Sequence, residues 1–292
     1  MRKRITTIIL VVILLTGLSL LLYPTVSNAW ISYLQSKAMA EYTETVANND
    51  DTDNERLWSE AVSYNESLSG SGIRWEMTDE EEDAYNQLLN IGSSGIMSYI
   101  EIPKINCSLP ICHGVDEQSL KTSVGHLAGT SLPVGGQGSH CVLSGHRGLP
   151  SARLFTDLDK LEKGDVFRIQ TLDRVLTYEV DQIQVVEPSD LTKLKIIDGM
   201  DYCTLVTCTP YGINTHRLLV RGRRVETEEA AEELTPVEEV RLNPIVTVPI
   251  VAVPAVLVLL IVLLICTKRR KTQEKRKKKL HKKNKIITFA TE

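Results

Sequence analysis

Residues 204–220, T-L-V-T-C-T-P-Y-G-I-N-T-H-R-L-L-V, decide how the chain is read. Apolar runs at 203–208 and 218–220 flank the turn-forming Pro210, Tyr211, Gly212 and Asn214, so the stretch reads as two strands joined by a loop. Cys208 ends the first strand and Arg217 begins the second. Facing strand ends can bring a thiol and a guanidinium to one carbonyl. Side-chain alternation puts Thr204, Val206 and Cys208 on one face and Cys203, Leu205 and Thr207 on the other, which keeps Cys203 out of the Cys208 pocket. Upstream, S-G-H-R-G at 144–148 follows the apolar Cys141, Val142 and Leu143 and supplies His146. Cys, His and Arg at strand ends make a candidate acyl-transfer site of nucleophile, proton carrier and anion stabiliser. The residues alone leave alternatives: Cys208 as a buried core cysteine, Arg217 as a surface ion pair, and His113, His126, His140 or His216 in the place of His146.

Outward from this stretch, a period of two begins at Ile96. Runs at 97–102, 109–112, 141–143, 166–170, 176–186, 203–208 and 217–225 read as short strands, several of them separated by Gly or Pro, which suggests a closed barrel or a sandwich. Residues 152–161 read as a helical insert. Gly135, Gly136 and Gly138 form a turn, not a phosphate cradle. Ahead of the strands, 30–47 and 55–68 have helical composition, and Thr78 with Glu81 makes a capping box for a helix through Leu89. This front section is acidic, poor in large apolar residues, and reads as a spacer.

Charge and hydropathy set the ends apart. Residues 5–23 are an uncharged apolar run preceded by Arg2, Lys3 and Arg4, and 244–266 are a second such run followed at once by Lys268, Arg269, Arg270 and Lys271. Each is long enough to span a membrane, and the basic flanks place both termini in the cytoplasm and the intervening chain outside. The first run is read as an uncleaved anchor, not a signal peptide. Between the basic ends, 18 bases face 35 acids, a net of about −17, which argues against a nucleic-acid partner. The expected organisation is a cytoplasmic 1–4, a transmembrane helix at 5–23, an extracellular helical section at 24–94, a catalytic β domain at 95–225, an acidic linker at 226–243, a transmembrane helix at 244–266 and a basic cytoplasmic tail at 267–292.

Of six cysteines, Cys266 falls at the inner membrane boundary, leaving Cys107, Cys112, Cys141, Cys203 and Cys208 outside. Five is odd, so at least one thiol stays free if the rest pair within the chain. The first four read as small buried hydrophobes. No ligand spacing suggests a metal, and no cofactor is expected.

T-L-V-T-C with an arginine nine residues on, preceded by S-G-H-R-G and by I-E-I-P-K-I at 100–105, resembles the sortase family. P-Y-G-I-N-T-H-R-L-L-V-R-G-R-R and L-P-S-A-R-L-F-T-D-L-D-K-L at 149–161 are similar to class C, the pilin-polymerising sortases. The resemblance covers roughly 95–225 and implies a mainly β, closed sortase-type barrel carrying an N-terminal helical section and two flanking transmembrane helices. It implies Cys208 as nucleophile, His146 as proton carrier and Arg217 as oxyanion stabiliser. The implied reaction is cleavage of an LPxTG-like sorting signal through a thioacyl-enzyme, with transfer to a pilin lysine at the cell membrane. The partners are then pilins or surface proteins bearing that signal. Class C enzymes often carry an Asp-Pro-aromatic lid ahead of the barrel, and no Asp-Pro occurs in this chain. Residues 73–77, I-R-W-E-M, stand in the corresponding place, where Trp75 either caps the thiol or packs on a helix. The competing functions are attachment of surface proteins to the cell-wall cross-bridge and an inert membrane-tethered adhesion or scaffold module.

Overall fold

The computed structural model describes residues 2–69, 73–92 and 95–226. The second apolar run, the basic tail and nearly all of the acidic linker lie outside the described residues.

Three helices lead the chain: α1 (Arg2–Asn48), α2 (Asp51–Ser69) and α3 (Asp79–Gln87). The N-terminal apolar run and the helical stretch after it form one continuous α1, with Pro24 inside it. The apolar part of α1 is long enough to cross a membrane, with mean hydropathy 2.4 over its most apolar 18 residues, none of them buried. Ile13, Leu20 and Leu21 are 62–73% exposed, a surface that water does not favour. α3 starts at the predicted capping box: Glu81 N–H donates to Thr78 Oγ1 at 3.3 Å, and Thr78 N–H donates to the Glu81 carboxylate at 3.0 Å.

Eight strands follow: β1 (Ile96–Ile102), β2 (Cys107–His113), β3 (Val124–His126), β4 (Ser139–Ser144), β5 (Val166–Thr171), β6 (Arg174–Val186), β7 (Asp201–Thr209) and β8 (His216–Val225). They close into a barrel in the order β1-β2-β3-β4-β7-β8-β6-β5, which removes free sheet edges and decides between the barrel and the sandwich. Period-two patterning explains the interior. In β5, Phe167, Ile169 and Thr171 point inward and are buried, while Val166 is exposed. Cys203 and Leu205 of β7, Leu218 and Val220 of β8 and Cys141 and Leu143 of β4 join the same core.

The helices belong to that core, which corrects the reading of the front section as a spacer. Met39, Tyr42 and Val46 of α1, Leu57 and Ala61 of α2 and Tyr85 of α3 are buried in the cluster that fills the barrel. Tyr42 O–H donates to Met97 O at 3.0 Å and accepts from Leu172 N–H at 2.8 Å. Asn65 of α2 accepts from Leu132 N–H at 2.7 Å and donates to Leu132 O at 3.1 Å. Tyr85 is hydrogen-bonded to His126 Nδ1 at 2.8 Å, and His113 Nε2 donates to Leu88 O at 2.6 Å, so two barrel histidines hold α3.

Residues 152–161 are not helical. They form turns ending in a short 3-10 segment, Leu158–Lys160, with Leu154 at φ 39°. Ala152, Leu154, Phe155, Leu158 and Leu161 are all buried in the main core. A single helix presents one apolar stripe, whereas this segment drives five side chains into one core, and packing overrides its helical composition.

Candidate active site

The site lies on the outward face of β4, β7 and β8. In the antiparallel β7–β8 ladder, Cys208 is paired directly with Arg217, Val206 with Leu219, and Thr204 with Arg221. Alternation then puts all six on one side of the sheet, opposite the core residues Cys203, Leu205, Leu218 and Val220. β4 runs parallel to β7, with Ser144 level with Val206. The contact continues past the ladder, since Gly145 N–H donates to Val206 O at 3.0 Å and Thr207 Oγ1 donates to Gly145 O at 2.8 Å. His146 follows two residues beyond Ser144, past the end of the β4–β7 ladder.

Cys208, His146 and Arg217 are each half-buried. The Arg217 Nη1 donates to His216 O at 3.1 Å and to Asn214 O at 3.4 Å, and among the described residues it has no carboxylate partner. An arginine held only by two carbonyls keeps donors free for an anion. That geometry sets it apart from Arg221, four residues on along the same face, whose Nε and Nη2 bind both Asp181 oxygens at 2.9 and 2.6 Å. Arg221 is part-buried over the Tyr202 ring.

The competing histidines are engaged elsewhere. His113 and His126 anchor α3, and His216 lies 3.2 Å from Glu187. His140 is buried beneath the β6–β7 loop: its Nδ1 donates to Lys195 O at 2.9 Å, and its Nε2 accepts from Thr204 Oγ1 at 2.7 Å. Burial pushes its pKa down to about 4, with the Arg221 charge adding to the effect, while the Lys195 carbonyl opposes it.

Beside Cys208 the outward face is apolar. Val142, Leu194 and Leu219 form a separate buried cluster, with Ile73, Leu127, Val186 and Val206 packed against it. Ile73, first residue of the stretch 73–77, thus packs on this outward cluster, and the next residue is tethered by Arg74 N–H donating to Gly129 O at 3.0 Å. An added Cβ at Gly129 would stand 1.9 Å from Arg74 O, so only glycine permits this approach. Ile73, which sequence reasoning passed over, is the residue that packs on this cluster. Trp75 is 45% exposed and makes no ring–ring or cation–π contact among the described residues. No group of three or more metal-binding side chains occurs among the described residues.

A closed eight-stranded barrel that gathers a thiol, an imidazole and a guanidinium at adjacent strand ends defines a candidate thiol acyl-transfer protein. The sortase domain matches residues 100–225. The chain is 53% identical to sortase C1 from Streptococcus agalactiae, with a TM-score of 0.64 over 65% of this chain and 98% of that one. It is 45% identical to sortase C of Streptococcus pneumoniae, with a TM-score of 0.58 over 63% of this chain and 94% of that one. Sortase D of Bacillus subtilis (strain 168) is 34% identical over 136 residues, 46% of this chain and 64% of that protein. The chain therefore belongs to the sortase family, whose members are cysteine transpeptidases, and its structural neighbours include class C sortases. It spans less than two thirds of the length of the first curated relatives it matches.

Proposed function

We propose that this protein is a membrane-anchored class C transpeptidase that cleaves an LPxTG-like sorting signal and passes the acyl group to a pilin lysine. One observation carries the reading: Cys208 and Arg217 pair directly across β7–β8, and β4, the neighbour of β7, ends two residues before His146. The Cys208 thiolate adds to a peptide carbonyl of the signal, and the carbonyl oxygen becomes an oxyanion that the Arg217 N–H groups stabilise. The tetrahedral centre collapses, the C–N bond breaks, and His146 gives its proton to the departing amine. The product is a thioester on Cys208. A lysine amine then attacks that carbonyl, loses a proton to His146 and expels the thiolate, leaving an isopeptide bond. A groove covered by Ile73 limits water as a competing acceptor.

The apolar part of α1 supports a membrane anchor. With the basic flanks of both apolar runs, it supports a catalytic barrel outside and both termini inside. The S. pneumoniae sortase C structure bears on pilin substrate specificity, and the likeness to that enzyme supports pilins as substrates here. The test is transfer: the full chain is incubated with a sorting-signal peptide and, separately, with a lysine-bearing pilin peptide or a cell-wall cross-bridge amine. Preferential coupling to the lysine peptide is expected. Preferential coupling to the cross-bridge amine supports wall attachment, and no coupling to either supports the scaffold reading.

A further inference from the structure

The motif S-G-H-R-G carries a second basic residue that the proposed reaction does not use. Arg147 sits in a loop, yet its side chain is only 9% exposed. Its Nη2 donates to Asp159 Oδ2 at 2.5 Å, and its guanidinium carbon lies 5.8 Å from the centre of the Tyr211 ring. Its Nε–H is buried and finds no hydrogen-bond partner. A donor left unpaired in this way is unusual and calls for a reason other than stability.

The reason lies in what the residue joins. Tyr211 belongs to the β7–β8 loop, three residues past Cys208, and its ring rests on Gly148, where an added Cβ would stand 3.0 Å away. Asp159 belongs to the segment whose Phe155 N–H donates to His146 O at 3.1 Å and whose Thr156 Oγ1 accepts from Gly148 N–H at 3.1 Å. Arg147 therefore bridges the loop after Cys208 and the segment that holds the backbone of His146. The imidazole itself makes no hydrogen bond among the described residues. Acid–base residues in acyl-transfer sites are commonly oriented by a third side chain, and among the described residues none hydrogen-bonds the ring. Its placement then depends on the backbone, which Gly145 ties to β7 on one side and Arg147 ties to Asp159 and Tyr211 on the other.

We infer that Arg147 is the positioning residue for His146, acting as a clamp between Asp159 and Tyr211 that sets the imidazole against Cys208. The inference rests on the transpeptidase reading above. It assigns no electrostatic task to the guanidinium: the charge is spent on Asp159, and the flat face is spent on Tyr211. Lysine supplies the first contact without the second.

The experiment follows thioacyl formation by the full-length protein on a fluorogenic LPxTG-like peptide across pH, for Arg147→Ala, Arg147→Lys, Tyr211→Ala and the double variant Arg147→Ala/Tyr211→Ala. Because Asp159 is 46% exposed, removing Arg147 leaves no buried charge behind. Arg147→Ala is expected to lower kcat by about 10- to 100-fold, the scale of a small misplacement of a reacting group, with peptide KM and the pH limbs unchanged. Arg147→Lys is expected to fall between it and the wild type. The double variant is expected to be no slower than the slower single variant, since both break one clamp. A near-normal kcat in Arg147→Ala, a shifted pH limb, or multiplying losses in the double variant overturns the inference. If Arg147→Ala does not fold, Tyr211→Ala, which trims a ring 59% exposed, decides by the same kcat and pH criteria. A wild-type protein that forms no thioacyl adduct contradicts the transpeptidase reading, whereas an active wild type with an equally active Arg147→Ala contradicts only the clamp.

Discussion

Cys208 and Arg217 are direct partners across the β7–β8 ladder, nine residues apart in sequence and adjacent in space. The pairing follows from the register of the hairpin: any slip by one residue would turn one of the two side chains into the barrel core. In the proposed reaction the hairpin is therefore part of the chemistry as much as of the fold.

The Arg217 guanidinium, without a carboxylate partner among the described residues, is free to meet an oxyanion. Replacing it by lysine keeps the charge and loses the planar fork. Arg217→Lys is expected to lower the rate of thioacyl formation by about 10²- to 10³-fold, the scale of losing one oxyanion donor. Steady-state kinetics on a sorting-signal peptide checks this. A rate near that of the wild type reduces Arg217 to a structural side chain.

Gly145 lies where β4 hands over to His146, and a methyl group there would stand 2.7 Å from the Phe155 ring, which is fully buried. Overpacking of this kind costs about 1–3 kcal/mol. Gly145→Ala is expected to lower both the melting temperature and the acylation rate, because the displaced loop carries His146, the proposed proton carrier. Thermal unfolding with the wild-type melting temperature contradicts the packing argument.

His140 titrates far below an ordinary histidine because it is buried, with the Arg221 charge adding to the effect. The unfolded chain then binds more protons than the fold between pH about 6.5 and about 4, so stability is full above that window and is lost as pH falls through it. The loss is on the order of 3 kcal/mol by the bottom of the window. Denaturant unfolding at several pH values should show it, and His140→Gln should flatten the slope. Protonation turns Nε2 into a donor and ends its acceptance from Thr204 Oγ1, while Nδ1–H keeps its bond to the Lys195 carbonyl. An equal slope in the variant removes His140 as the cause.

The strand ends that carry the proposed site residues were legible because local pattern marks them. Cys208 and Arg217 flank a turn between two apolar runs, and His146 ends a third, so strand ends alone could bring them together. The capping box at Thr78 was legible for the same local reason. β3 was missed because Val124, Gly125 and His126 are too short to show a period, and their parallel pairing with β2 is a long-range fact. The same holds for residues 152–161, where five buried side chains outweigh helical composition, and for the front helices, whose few large side chains insert into a distant barrel.

The groove cover is legible only in part. Trp75 stands out in the sequence as the large ring, but Ile73 is the side chain packed against the Val142, Leu194 and Leu219 cluster. Ile73→Ala is expected to speed alkylation of Cys208 by a small thiol reagent several-fold, and Trp75→Ala to do so less. Rates unchanged in both variants would leave 73–77 with no role as a lid. Removing everything up to Met77 is not a fair form of this test, since it strips Met39, Tyr42 and Ala61 from the core.

The central claim is that Cys208 is the nucleophile of a site completed by His146 and Arg217. Its most direct test is the intact mass, followed by peptide mapping, of the full-length protein quenched during turnover of a sorting-signal peptide. The account requires an acyl adduct on Cys208 and on no other cysteine, absent in Cys208→Ala and strongly reduced in His146→Ala. An unmodified Cys208, or an adduct carried by Cys107 or Cys112, contradicts it.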